Sequence, residues 1–216
     1  MKKYLSIFTT VIAFFVLTID SNAQAFQKGN ANLDVGIGFG GYSTTATITA
    51  NVPFFGNLTI SNEDGAASVI APITFEYGIS NKVGLGVQLG FSNYFIDNED
   101  STETTESVKS VDFAILVNYH LLNSDKNDLF IGIALGGSSV NWKDLSGEEW
   151  TGAGSYFSLY IKDRIFFNDN VGILFNLGYT GYRYSQLESS IDNPWITKFE
   201  WTVRGVNFGT GLALKF

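Results

Sequence analysis

The chain has 216 residues, 45% of them hydrophobic, 16% charged and 15% aromatic, with a net charge of −8. It is too apolar for a disordered chain and too lightly charged for an ordinary soluble surface, where about a quarter of residues are charged. The absence of cysteine excludes a disulfide scaffold, a thiolate metal site and a cysteine nucleophile, and the acidic balance argues against nucleic acid, which calls for a basic stripe.

The N-terminus reads as a targeting segment. Lys2 and Lys3 precede a mostly apolar run from Leu5 to Ile19. Ser21-Asn22-Ala23 and Ala23-Gln24-Ala25 both place small residues at the two positions a leader peptidase reads. The run is short for a spanning helix, which needs about 20 apolar residues. Residues 1–23 are therefore assigned as a cleaved signal peptide and 24–216 as a single domain.

From there the chain alternates apolar and polar residues with period two, the strand signal. The first run sets Leu33, Val35, Ile37 and Phe39 against Asp34, Gly36, Gly38 and Gly40. The second sets Ile73, Phe75 and Tyr77 against Thr74, Glu76 and Gly78, with Pro72 predicting a bulge or a ragged upper end. The third sets Val83, Leu85, Val87 and Leu89 against Gly84, Gly86, Gln88 and Gly90. The fourth opposes Val111, Phe113, Ile115 and Val117 to Asp112, Ala114, Asn118 and His120. The fifth carries Leu129, Ile131, Ile133 and Leu135, and the sixth, less regular, Phe157, Leu159 and Ile161. The seventh carries Val171, Ile173, Phe175 and Leu177, and the eighth Val206, Phe208, Leu212, Leu214 and Phe216. Short connections at 80–82, 123–127 and 167–170 alternate with long ones at 42–66, 95–109, 138–152 and 183–201. That is an up-and-down meander of eight strands.

Which face is wet decides the class. One face is a nearly unbroken band of Val, Leu, Ile, Phe and Tyr; the other is mostly Gly, Ala, Ser, Thr and Asn. A soluble barrel with that apolar face inside would have a largely glycine surface. With the apolar face outward, the small residues fit the narrow interior of an eight-stranded membrane barrel, whose closure satisfies every backbone group. Charge agrees: without residues 1–23 the net is −9, and the four long connections together carry −9, so the remainder is neutral. Tyr42, Tyr94, Tyr182, Tyr184 and Trp201 toward the long connections, and Tyr77, Tyr119, Phe166 and Phe167 toward the short ones, read as two interfacial aromatic belts.

The strand pattern and the terminal run Phe208, Leu212, Leu214, Phe216 resemble the small bacterial outer-membrane β-barrels of the OmpX, OmpA-barrel and OmpW groups. The resemblance covers the whole mature chain. It implies an all-β, eight-stranded antiparallel up-and-down transmembrane β-barrel in a bacterial outer membrane, with the long connections extracellular. It further implies outer-membrane lipid as surroundings, and a terminal strand read as the signal of the barrel-assembly machinery. It does not fix an activity, because one fold hosts many.

Asp34, Glu76, Asp112, Lys162, Arg164 and Lys215 alternate onto the lumen face, all but Asp112 in the half near the short turns. Buried charges must pair or cost several kcal/mol each, by about that order. They are predicted to form an ion-pair network that plugs the lumen; the competing reading is the selectivity lining of a narrow channel. His120, the only histidine, is expected to be a hydrogen-bonded lumen residue, with Leu122 where a lipid-hydrolysing pair would need a serine. Gly36, Gly38 and Gly41 match a dinucleotide fingerprint, but no helix follows them. Asp97, Glu99 and Asp100 crowd one loop and are a weak candidate for a divalent cation. Trp142, Trp150 and Trp195, set among polar residues, are candidate contacts for a ligand or surface partner. No catalytic constellation and no cofactor are expected. The leading function is a non-enzymatic structural or surface-interaction barrel, with a narrow passive channel second.

Overall fold

A computed structural model of the chain describes residues 24–96, 105–144, 147–191 and 195–216. Residues 1–23, expected to be a signal peptide, and the acidic loop residues Asp97, Glu99 and Asp100 lie outside the described residues. The strands are β1 (Ala31–Val52), β2 (Gly56–Gly78), β3 (Val83–Ile96), β4 (Thr105–Asn123), β5 (Asn127–Asp144), β6 (Glu149–Phe166), β7 (Val171–Tyr184), β8 (Glu188–Ser189) and β9 (Ile196–Lys215). From β1 to β7 each strand pairs antiparallel with its chain neighbour, β7 then pairs with β9, and β9 returns to β1. The eight long strands thus form a closed barrel. The two-residue β8 is a ninth strand that only lies along β6 at Trp150 and Thr151.

Burial follows the period-two pattern. In β4, Phe113, Ile115 and Val117 are exposed on the outside, while Asp112, Ala114, Leu116 and Asn118 are buried within. This is the inside-out arrangement of a membrane barrel: an apolar outer band around an interior of small and polar side chains. Short turns and both ends of the described chain share one end of the barrel, here the turn end; the opposite end is the hairpin end.

The long connections are mostly strand. β1 and β2 run 22 and 23 residues, about twice the ~9–11 that cross a bilayer. Above the apolar band their alternation continues in Thr and Ser, which pair across the strands as Thr47–Ser61 and Thr49–Thr59 hydroxyl contacts. Polar strands of this kind carry no membrane signal, so the sequence reads them as loops. The β1–β2 hairpin turns at 53–55, with Gly56 at φ 80 and Phe54, unusually for a bulky residue, at φ 71.

Pro72 produces neither a bulge nor a ragged end. The β1–β2 ladder lapses only where Gly36 and Ile37 face Pro72 and Ala71. It resumes in the same register at Gly38–Ile70, while Pro72 keeps its place opposite Gly90 of β3. Missing one N–H costs one local bond, and the neighbours on either side hold the register.

Candidate functional site

Among the described residues, the barrel interior gathers the buried charged side chains, and it is organised in three levels. At the turn end sits a fully buried charged cluster. Arg164 on β6 takes Asp34 of β1 in a two-pronged grip, Nε to Oδ1 at 2.9 Å and Nη2 to Oδ2 at 2.8 Å. Its remaining nitrogen, Nη1, reaches Glu76 of β2 at 2.7 Å and Asp128 of β5 at 3.0 Å. The planar fork of a guanidinium suits this role, because it presents donors in fixed directions to several carboxylates at once.

His120 of β4 completes the cluster. Its Nε2 lies 3.0 Å from Glu76 Oε1, and its Nδ1 faces Asp128 Oδ1. Both ring nitrogens therefore point at carboxylates. Asn118 Nδ2 donates to Glu76 at 2.7 Å and receives Tyr160 OH on its own oxygen at 2.8 Å. Phe130 lies under the guanidinium, 4.4 Å from ring centre to Cζ, and Phe26 stacks on the His120 ring at 3.4 Å. Three carboxylates, one guanidinium and one imidazole thus share a site in which every member is buried.

The six lumen charges named from sequence all point inward and are buried, but they do not form one group. Asp34, Glu76 and Arg164 meet in the cluster. Lys162 stands apart, 4.8 Å from the Tyr160 ring, with no ion pair among the described residues. Lys215 donates to the Gln24 carbonyl at 2.9 Å and lies over Phe166. Asp112 belongs to the other half of the lumen, where it takes hydroxyl donors: Ser138 at 2.6 Å, Tyr182 at 3.1 Å and Ser110 at 3.2 Å.

Two cluster members are absent from the six charges read from sequence, His120 and Asp128. His120 is the hydrogen-bonded lumen residue expected of it, but its carboxylate partners could not be named. Asp128 falls between the short connection read at 123–127 and Leu129, the first residue of the fifth run, whereas β5 begins one residue before it. Continuing the alternation backwards from Ala134 through Phe130 would have placed Asp128 on the lumen face.

The second level is a cavity of about 50 Å³ in mid-barrel, between Lys162 on the turn side and Asp112 on the hairpin side. Gln88, Asn176, Thr180 and Asn207 line it. At ~10–15 Å³ per water this is room for a few waters.

The third level is an aromatic stack toward the hairpin end, where the sequence had suggested a lipid-facing belt. Trp201 is fully buried, stacked on Tyr184 at 5.5 Å and edge-on to Tyr94 and Trp142 at 5.6 and 5.3 Å. Tyr42 and Tyr182 join through Tyr94. Parity explains the correction: Tyr94 shares its face with Gly90 and Ser92, and Tyr182 and Tyr184 share theirs with Thr180, all inward. Phe166, assigned to the opposite belt, is also inward and buried, whereas Tyr77, Tyr119 and Phe167 do face outward.

Trp142 and Trp150 pair with each other across β5 and β6, and both pack on Phe199. They are half-buried strand residues rather than free loop contacts; Trp195 is exposed. Phe208 and Leu212 lie on the outer surface, Leu214 and Phe216 are half-buried, and Phe216 exchanges backbone hydrogen bonds with Ala31 at 2.8 and 3.1 Å. Among the described residues no group of three or more His, Cys, Asp or Glu side chains is placed to hold a metal ion.

No family model matches the chain, and no curated protein does. Solved structures do. The outer membrane protein OprG from Pseudomonas aeruginosa superposes with a TM-score of 0.61 at 12% identity, covering 88% of this chain and 97% of that one. AlkL, an outer membrane protein solved in lipid bilayers, gives 0.49 at 12% identity, covering 92% and 95%, and the protease OmpT from Escherichia coli gives 0.46 at 10%, covering 93% and 99%. The likeness to OprG, together with the inside-out barrel, defines the class: this is a transmembrane β-barrel with the fold of the small bacterial outer-membrane proteins.

Proposed function

We propose that this chain is a non-enzymatic surface barrel of the outer membrane whose lumen is shut, and which acts through the hairpins it raises above the lipid. The turn end faces the periplasm and the hairpin end the exterior. Phe208, Leu212, Leu214 and Phe216 serve as the strand read by the assembly machinery.

The observation that carries this reading is the double closure. A charged cluster with no exposed member fills the turn end, and a buried Trp–Tyr stack fills the hairpin end. An eight-stranded lumen is just wide enough for side chains to occupy, and here they occupy it at two levels. Catalysis gets no support from the interior. The one imidazole has both nitrogens engaged by carboxylates and a phenyl ring on its face, so no nitrogen remains to serve as a base. Contact is offered instead by the β1–β2 tip, where Phe54 and Phe55 are 104% and 89% exposed. Paired exposed aromatics at a hairpin tip are suited to binding a surface partner.

The narrow channel is the second reading. What favours it is the polar mid-barrel cavity lined by Asp112, Lys162, Asn176 and Asn207. Planar-bilayer recording separates the two. Purified protein should give no conductance steps, and W201A alone should stay silent because the charged cluster still closes the turn end. Regular steps from the wild-type barrel would establish the channel reading instead.

A further inference from the structure

The outer face of β7 and β9 changes from apolar to basic where the lipid band ends. Phe175, Leu177 and Tyr179 of β7 and Val206, Phe208 and Leu212 of β9 are exposed on the outside. A strand crosses a bilayer in about 9–11 residues. Counted from Val171 on β7, and back from Phe216 on β9, that length ends near Gly181 and Val206. The next outward side chains toward the hairpin end are Arg183 and Arg204, both exposed, while Tyr182, Tyr184 and Val203 beside them are buried in the lumen. Across the ladder Gly181 faces Arg204, and Arg183 faces Thr202. The two arginines are therefore diagonal neighbours on one face, a spacing of about 7–8 Å that long side chains close easily. Gly181 leaves a notch between them: the Arg204 stem passes 3.9 Å from where its Cβ would stand. Ser43 of β1 faces Arg204 and Ser155 of β6 faces Arg183, both exposed, so a hydroxyl flanks the pair on each side.

The pair is short of negative charge. Glu200, further up the outer face of β9, takes Lys198 at 3.1 Å and stands 3.8 Å from Arg183, too far for a hydrogen bond. Arg204 has neither a hydrogen bond nor an ion pair among the described residues. Glu63, an exposed carboxylate of β2, lies across β1 from β9. Three cations thus share one carboxylate, in a chain whose net charge is −8. Like charges side by side on a sheet repel one another, and an anion that bridges them removes the repulsion.

We infer that Arg183 and Arg204 bind the phosphate of a lipid headgroup, with the acyl chains of that lipid lying against Tyr179 and Val206. Height selects a lipid over a soluble anion: the guanidinium groups begin where the apolar band ends, so one molecule can fill both the basic notch and the apolar slope below it. Guanidinium forks match phosphate oxygens, and two forks can hold one phosphate from two sides. Charge on the outer face of a barrel costs little at this depth, because the strand has already reached the interface. The site is outside the lumen and independent of whether the lumen conducts.

The chain has three arginines, this pair outside and Arg164 sealed in the lumen, so their three Nε–H signals can be followed by NMR. The barrel is held in uncharged maltoside micelles, which bring no phosphate of their own. Adding a short-chain phosphatidic acid should shift the Arg183 and Arg204 signals and leave that of Arg164 in place. A diacylglycerol of the same chain length, which lacks the phosphate, and inorganic phosphate, which lacks the chains, should each leave all three signals unmoved at the concentration where phosphatidic acid saturates. R183Q/R204Q should bind phosphatidic acid at least about tenfold more weakly than the wild type. No shift at Arg183 and Arg204, or an unchanged affinity in R183Q/R204Q, overturns the site. Equal shifts with inorganic phosphate overturn the lipid as its occupant, and equal shifts with diacylglycerol overturn the role of the phosphate. The titrations of the unaltered protein decide the matter even where the variant does not assemble.

Discussion

Arg164 is the cation on which three buried carboxylates converge. It faces Asp34, Glu76 and Asp128 at 2.7–3.0 Å with nothing exposed around it. Replacing one member of a buried ionic group leaves the others uncompensated, at about 3–5 kcal/mol. R164M should therefore lose roughly that much stability, read by urea unfolding in detergent micelles or by the temperature at which the folded band disappears on a gel. R164K keeps the charge but not the fork, and should fall between R164M and the wild type. An R164M barrel as stable as the wild type would show that the cluster contributes packing rather than charge compensation. Gly84 tests the same cluster from the other side. A Cβ there would collide with the Glu76 carboxylate, which is pinned by Arg164, His120 and Asn118 and cannot swing away cheaply. G84A should cost on the order of 1–3 kcal/mol, whereas alanine at Gly137, which meets only an ordinary contact, should be nearly silent in the same unfolding measurement.

Among the elements, the hairpin β1–β2 separates membrane span from projecting surface. Its lower part carries Val35, Ile37 and Phe39 on the outside, and its upper part is a Thr- and Ser-rich ribbon ending in Phe54 and Phe55. The tip touches little, so F54S/F55S should leave stability unchanged within about 0.5 kcal/mol while reducing binding to whole-cell or surface-component partners. A loss of barrel stability in that variant would mean the tip folds back on the body. The strands themselves were readable from period two, because lipid on one side and a narrow lumen on the other impose strict alternation. Strand length was not, because outside the lipid the alternation of Thr, Ser and Ala no longer contrasts apolar with polar. The aromatics were misplaced for a related reason. Tyr94, Tyr184 and Trp201 stand at the height of an interface, and height suggested a belt; parity, which the sequence also carries, points them inward. Partners across the lumen, such as Arg164 with Asp34 and Asp128, depend on barrel closure and stagger, and no local pattern encodes them.

On the scale of the whole molecule, closure turns a sheet that could not exist alone in lipid into one with no free edge through the membrane. The interior is then a small volume in which each side chain must find partners. The chain fills it with an ionic cluster, a polar middle around a small cavity and an aromatic stack, and its long connections carry the net negative charge. The projecting hairpins are the part free to carry recognition, since the body is fully committed to spanning and closing.

All of this rests on the apolar face being the one that meets lipid, and the cysteine-free sequence allows a direct test. Single cysteines placed one at a time from Val111 to Leu121 in β4, with a nitroxide attached and the barrel in lipid vesicles, should alternate in their exposure to dissolved oxygen. Positions 111, 113, 115, 117 and 119 should be accessible from lipid, and 112, 114, 116 and 118 protected. Protection at the odd positions, with the even ones open to an aqueous relaxation agent, would contradict the account and make this a soluble barrel with an apolar core.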